Sequence, residues 1–201
     1  FPCGGPGEVI SAAVACARAA AGEAAAVALS VGPIGQMMEP GGALQFSRAY
    51  ALFAEQVKAG AAAGADLVVF ETMSDLYEVK AAVLAAKENT RLPVFVTMTF
   101  EDNHRTFTGC GVSAMAATPE GLGVDAVGIN CSLGPAEILP IAKELASCTA
   151  LPLIIKANAG LPDPATGAYD IGPEAFAEGM APHIDLGAAY IGGCCGTTPE
   201  Y

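Results

Sequence analysis

The chain has 201 residues, 53% of them hydrophobic, with 21 acidic against 9 basic side chains and a net charge of −12. That length suffices for one domain with a sizeable core, and the acidic balance argues against a nucleic-acid surface, which needs clustered Lys and Arg. The longest charge-free stretch, Ala24 to Met38, is broken by Gly32, Pro33 and Gly35 and falls short of the ~18 apolar residues of a membrane span. A soluble, cytoplasmic chain is therefore expected, with no signal peptide and no membrane partner.

Taken in chain order, Ala-rich "EVISAAVACARAAAG" (8–22) reads as a helix, with Cys16 a small buried hydrophobe inside it. "VALSVGP" (27–33) is a buried strand. Phe46, Tyr50, Phe53 and Val57 then recur on one helical face. "LVVFETM" (67–73) is the second strand, followed by the helix "SDLYEVKAAVLAAKE" with Ser74 as N-cap. "PVFVTMTF" (93–100) and "DAVGINCS" (125–132) are strands three and four, and "GPAEILPIAKELAS" follows as a helix. "PLIIKANAG" (152–160) and "AAYIGGCC" (188–195) complete six strands, and "TTPEY" reads as a helix start with Pro199 at its first position.

Strands alternating with helices imply a parallel sheet covered by helices. An open dinucleotide-binding sheet should carry G-x-G-x-x-G after its first strand; here that turn is "VGPIGQMMEPGG". Instead, the runs end on polar or reactive residues: Glu71-Thr72, Thr97 to Thr99, Asn130-Cys131-Ser132, Asn158 and Cys194-Cys195. A (β/α)8 barrel gathers the C-terminal ends of its strands at one mouth, where chemistry sits. Six strands, not eight, predict either an open sheet or a barrel lacking about two βα units. A chain that starts at Phe1 and not Met is read as a fragment of a longer one.

Seven cysteines, Cys3, Cys16, Cys110, Cys131, Cys148, Cys194 and Cys195, make an odd count without a secretory context, so a disulfide framework is not expected. The adjacent pair Cys194-Cys195 lies between Gly192-Gly193 and Gly196. Neighbouring side chains of a regular strand point to opposite faces, and flanking glycines permit the bend that aims both at one point. With Cys131, at the end of strand four, they supply three thiolates. Three protein ligands and an open fourth place describe a catalytic zinc site. Buried packing cysteines are the equal alternative on pattern alone, and a vicinal disulfide is strained.

The segments "GINCSLGP" and "GGCCGTTPE", with "SVGPIG", "ADLVVFETMSDLYEVKAAVLAAKE", "LPVFVTMTFEDNHRTFTG" and "ANAGLP" in the same order, resemble the homocysteine S-methyltransferase family over nearly all of residues 8 to 201. "ETMSDLYE" and "MTFEDNHRTFTG" are most similar to its cobalamin-dependent methionine synthase branch. The resemblance implies a single (β/α)8 TIM-barrel domain over 1–201, here without the first two βα units and the last helix. It implies zinc held by Cys131, Cys194 and Cys195. It also implies that Glu71 meets the homocysteine amino group and that Asn130 and Asn158 border the pocket. The implied reaction is zinc-dependent methyl transfer to the homocysteine thiol, giving methionine, with methylcobalamin on a separate module, S-methylmethionine or betaine as donor.

The sequence departs from the family at both the missing opening strands, which carry an acidic partner for the substrate amine, and at Lys156-Ala157 and Tyr201. A fragment that binds zinc but does not turn over alone, and an unrelated barrel with core cysteines, are the alternative readings. No general base is required, and neither His104 nor His183 lies at a strand end.

Overall fold

The computed structural model describes residues 5–201. Cys3 lies outside them. Six strands and six helices alternate: α1 (Pro6–Ala21), β1 (Ala28–Val31), α2 (Phe46–Ala62), β2 (Leu67–Met73), α3 (Leu76–Asn89), β3 (Val94–Met98), α4 (Val112–Gly121), β4 (Ala126–Asn130), α5 (Pro135–Cys148), β5 (Leu153–Ala157), α6 (Pro173–Asp185) and β6 (Tyr190–Gly193). All six strands fall inside the expected runs. Strand order follows chain order, β1 to β6, unlike the reversed order of a doubly wound sheet.

The chain divides into two compact units. The first comprises residues up to Glu71 and Tyr77–Val96; the second comprises Thr72–Leu76 and Thr97–Tyr201. In the first, β1 and β2 pair in parallel, Ala28 opposite Leu67 through Val31 opposite Phe70. Phe53 and Val57 of α2 are fully buried with Val68 and Phe70, and the Phe53 ring meets Phe70 edge-on at 5.7 Å. In the second, β4 pairs with β5 and β5 with β6, all parallel. β4 is buried at every position, as a strand covered on both faces should be.

Three helices open on the same local signal. Gly5-Pro6, Gly134-Pro135 and Gly172-Pro173 each place an extended glycine before a first-turn proline, with Glu8, Glu137 and Glu174 in that turn. Proline loses nothing there because the first N–H groups of a helix have no partner, and the carboxylates favour the positive end of the helix dipole.

Several local expectations are corrected. Cys16 is exposed, because α1 buries only Val14. α3 begins at Leu76, which puts Asp75 and not Ser74 immediately before it. The helix start read at "TTPEY" is matched by a capped turn, in which Glu200 N–H donates to Thr198 Oγ1 at 3.5 Å and Tyr201 N–H to Thr198 O at 3.1 Å. Two helices, α4 and α6, are additional to those read from sequence. No helix of the described residues is long and apolar enough to cross a membrane.

His183 is a core residue of α6 and not a site residue. Its Nε2 donates to the Pro135 carbonyl at 2.9 Å, which fixes the tautomer and leaves a buried Nδ1 without a partner. Burial holds its pKa below the ordinary value, offset in part by the Pro135 bond and reinforced by Lys143. Above its ordinary pKa of ~6.5 the ring is neutral folded and unfolded; below it the unfolded chain takes the proton first, so stability falls as pH drops. Urea midpoints should therefore decline between about pH 7 and about pH 5, and His183→Gln should flatten that decline. A pH dependence unchanged in the variant would refute the assignment.

Candidate metal centre

The thiols of Cys131, Cys194 and Cys195 come together within the second unit, all three sulfurs within 4.8 Å of one another. Cys131 Sγ lies 3.6 Å from Cys195 Sγ. A disulfide needs about 2.05 Å, so these are separate thiols. Two sulfurs bound tetrahedrally at ~2.3 Å from one zinc stand ~3.8 Å apart. The Cys131–Cys195 separation is close to that spacing.

The double cysteine reaches the cluster because β6 ends at Gly193 and the chain turns at once. Cys194 N–H donates to Ala157 O at 2.7 Å, and Ala159 N–H donates to Cys195 O at 2.9 Å, so both residues are still tied to the end of β5. Thr197 folds back, its hydroxyl and its N–H both donating to Cys194 O. A Cβ on Gly193 would meet Thr197 Oγ1 at 2.4 Å, and Gly196 takes φ +82° to complete the turn.

Cys131 arrives differently. It and Ser132 adopt φ of 64° and 62°, a left-handed conformation that costs roughly 1 kcal/mol or more for a residue with a Cβ. The turn is held by Cys131 N–H on Lys156 O and by Leu133 O, which accepts the Asn158 N–H. Ser132 Oγ is hydrogen-bonded to Thr99 Oγ1. Beside it opens a cleft of about 450 Å³ lined by Glu101, Asp102, Asn103, Ser132, Leu133 and Leu161.

Both strand-end asparagines join the cluster through the cysteines. Asn158 Oδ1 accepts the Cys195 N–H at 3.0 Å. Asn130, fully buried, spends its whole carboxamide on the protein. Its Oδ1 accepts from Thr72 N at 2.8 Å and Thr97 Oγ1 at 2.7 Å, and its Nδ2 donates to Thr72 Oγ1 at 2.8 Å and to Cys194 Sγ at 3.7 Å. Thr72, at φ 60°, is thus locked by one amide. Thr72 and Thr97 were visible in the sequence as strand-end polar residues, but not as partners of Asn130. Asn130→Ala would strand the buried Thr97 hydroxyl and the half-buried Thr72 N–H and cost roughly 2–4 kcal/mol of unfolding free energy. Chemical denaturation is the check, and a loss below about 1 kcal/mol would contradict the locked network.

The proton inventory of the sulfurs is shared. Cys194 is lowered to about 5, first by the hydrogen bond from Cys131 and further by Asn130, against the opposing effect of burial. Cys131 is pushed well above the ordinary thiol range, first by that same bond to Cys194 and then by burial. The bond between them thus lowers one thiol as it raises the other.

Glu71 ends the first unit's part of β2, where its carboxylate accepts from Ser30 Oγ. His104, at φ 59°, pairs its Nδ1 with Glu144 of α5 at 3.5 Å.

Comparison with known proteins identifies the family. The family model described as homocysteine S-methyltransferase matches residues 6–201. Methionine synthase of Mycobacterium leprae (strain TN) is 40% identical over 146 residues, 69% of this chain and 12% of that protein. Methionine synthase of Mycobacterium tuberculosis (strain ATCC 25618 / H37Rv) is 38% identical over 146 residues, with the same coverage of 69% and 12%. The chain thus spans 12% of the length of these curated relatives. Among solved structures, the metallated form of the homocysteine methyltransferase MmuM from Escherichia coli superposes with a TM-score of 0.79 at 26% identity, covering 96% of this chain and 67% of that one. Its apo form gives 0.78 at 27%, covering 96% and 69%.

Proposed function

Since the chain belongs to the homocysteine S-methyltransferase family, we propose that it carries the zinc-binding, homocysteine-activating part of an enzyme that transfers a methyl group to the homocysteine thiol, giving methionine. The observation that carries this reading is the three-sulfur cluster, with Cys131 and Cys195 at 3.6 Å against the ~3.8 Å of a tetrahedral zinc site. Cys131, Cys194 and Cys195 would hold the zinc ion, which would keep an acceptor thiol bound beside them deprotonated at neutral pH.

The chain's own residues do the rest. Asn130 orients Cys194 while locking Thr72, and Asn158 holds the Cys195 backbone. Both therefore border the substrate pocket by fixing its sulfurs. Glu71 is assigned to the substrate amino group, as a carboxylate at a strand end suits. The thiolate, and not the thiol, is the nucleophile, so holding the acceptor as thiolate removes the need for a general base. The methyl donor most consistent with the methionine synthase relatives is methylcobalamin on a separate module; S-methylmethionine and betaine are the alternatives. The fold assigned is the last six strands of a (β/α)8 barrel.

A second reading is favoured by the coverage of 12% and 67% of the relatives: the chain binds zinc and homocysteine but does not turn over alone. Calorimetric titration of the zinc-loaded chain with homocysteine, followed by mass-spectrometric assay of methionine with each donor, separates the two. Binding with methionine formed supports the first reading, and binding without it the second. No binding to a zinc-loaded, folded chain would sink both.

A further inference from the structure

The ends of β1 and β2 are joined by side chains as well as by their ladder. In that ladder Ser30 stands opposite Val69, and Val31 opposite Phe70. Successive side chains of a strand point to opposite faces. Leu29 and Val31 of β1, and Val68 and Phe70 of β2, are buried. This is the face that meets α2: Phe70 packs on the Phe53 ring, and a Cβ on Gly60 would lie 2.4 Å from Leu29 Cδ2. Ser30 and Glu71 alternate to the other face, where Ser30 is exposed and Glu71 half-buried. There the Ser30 hydroxyl donates to Glu71 Oε1.

The chain leaving β1 is tethered by a second carboxylate. Ile34 N–H donates at 2.7 Å to Oε1 of Glu78, which lies in the first turn of α3 and is only 3% exposed. A carboxylate buried to that degree needs hydrogen bonds to offset its lost hydration, and here it holds a loop N–H. A Cβ on Gly32, between Ser30 and Ile34, would lie 4.0 Å from the Glu71 carbonyl oxygen, so the exit of β1 runs alongside Glu71. The Ser30 hydroxyl is thus presented from a strand whose exit is fixed. Ser30, Ile34, Glu71 and Glu78 all belong to the first unit.

We propose that Ser30 is a positioning residue for Glu71: its hydroxyl fixes the direction in which that carboxylate meets the substrate amino group. The inference rests on the reading in which Glu71 takes the homocysteine amine, and deepens it by naming what aims the carboxylate. A glutamate side chain has several rotamers, and ordering one of them on binding costs affinity. A hydroxyl already bonded to one carboxylate oxygen removes part of that cost before the substrate arrives. The gain falls on the bond between ammonium and carboxylate, whose strength depends on alignment. Sequence reading passed over Ser30 because a lone serine in the apolar run "VALSVGP" has no motif to set it apart from any strand residue facing solvent.

The test titrates the zinc-loaded chain calorimetrically with two probes: homocysteine, and its desamino analogue, which keeps the thiol and the carboxylate and lacks only the amine. Ser30→Ala should weaken homocysteine binding about fivefold, the effect of one ordinary hydrogen bond, and leave the affinity for the analogue within error. Ser30→Thr, which keeps a hydroxyl, should restore homocysteine binding. In a Glu71→Ala background, itself weaker for homocysteine than wild type, Ser30→Ala should have no further effect, since the serine acts through the carboxylate. Urea unfolding checks that each variant is folded. An equal loss with both probes would mark Ser30 as structural only, and an unchanged homocysteine affinity would show it idle; either result overturns the proposal. A Glu71→Ala chain that binds homocysteine as wild type does removes the assignment of the amine to Glu71, and the proposal with it. A wild type that takes up no zinc, or binds neither probe when loaded, refutes the functional reading itself, so wild type alone tells that failure from a failure of Ser30.

Discussion

Replacing any one of Cys131, Cys194 and Cys195 with alanine should abolish stoichiometric zinc binding, whereas wild type purified under reducing conditions should retain about one zinc per chain. The expectation follows from geometry and ligand chemistry together. The three sulfurs lie within 4.8 Å of one another, and they are the one cluster of potential metal ligands found among the described residues. Soft thiolates select zinc over hard cations such as magnesium or calcium. With one sulfur gone, two thiolates remain where a site needs three protein ligands, and chelator competition should show affinity lower by several orders of magnitude. Cys148→Ala is the matched control. Cys148 is also exposed, but its weak sulfur contact is with Ser147, so its loss should change nothing. Full zinc occupancy in any of the three site variants, or a well-folded wild type without zinc, would show that the cluster is a packing feature.

β3, β4 and β5 were legible because burial on both faces fills them with Val, Ile, Leu and Phe, and β1 and β2 because their apolar residues alternate toward the buried face. α4 and α6 were not legible, for a definite reason. The buried stripe of α4 is Val112, Met115, Ala116 and Pro119, and that of α6 is Phe176, Met180 and His183. Alanine, proline and histidine are weak carriers of a hydrophobic period, and Pro119 and Pro182 lie inside the helices they would be expected to end. Cys16 failed in the opposite direction: α1 is apolar nearly all round, so composition could not say which face turns inward, and only Val14 does.

At the site, chemistry was easier to foresee than conformation. Residue types and strand-end positions suggested grouping Cys131 with Cys194 and Cys195 but left packing cysteines an equal alternative; the family resemblance decided between them. They could not foresee that Cys131, Ser132 and Thr72 adopt positive φ, since nothing in a non-glycine residue announces that conformation. Nor could they foresee that Asn130 turns its amide inward to four protein atoms. Such networks are properties of a packed mouth, in which residues about 30 to 60 positions apart meet.

Gly128→Ala should be the most damaging single methyl group that can be added to the second unit. Gly128 stands opposite Ile154 in the β4–β5 ladder. A Cβ there would sit 1.9 Å from the Ile154 carbonyl oxygen, 2.6 Å from its carbonyl carbon and 2.7 Å from its Cβ. The obstacle is backbone, so no rotamer change relieves it; the strands must separate and their ladder must break. Both strands are buried at these positions, and interiors packed at crystal density do not yield without loss. Overpacking of this kind costs about 1–3 kcal/mol in a core that can adjust, and a clash with a paired strand places this variant at or above the upper end of that range. The damage should reach the sulfurs, because Cys131 follows β4 by one residue and its N–H is held by Lys156 of β5. Zinc occupancy should therefore fall with stability, although residue 128 touches none of the three thiols. Gly121→Ala, where a Cβ meets nothing within 4 Å, supplies the contrast: at the end of α4 it should leave stability unchanged or raise it by a few tenths of a kcal/mol, since alanine is the better helix former. Urea unfolding and metal analysis of the pair decide the matter. A Gly128→Ala chain as stable and as zinc-replete as wild type would mean that β4 and β5 do not approach as closely as their register requires.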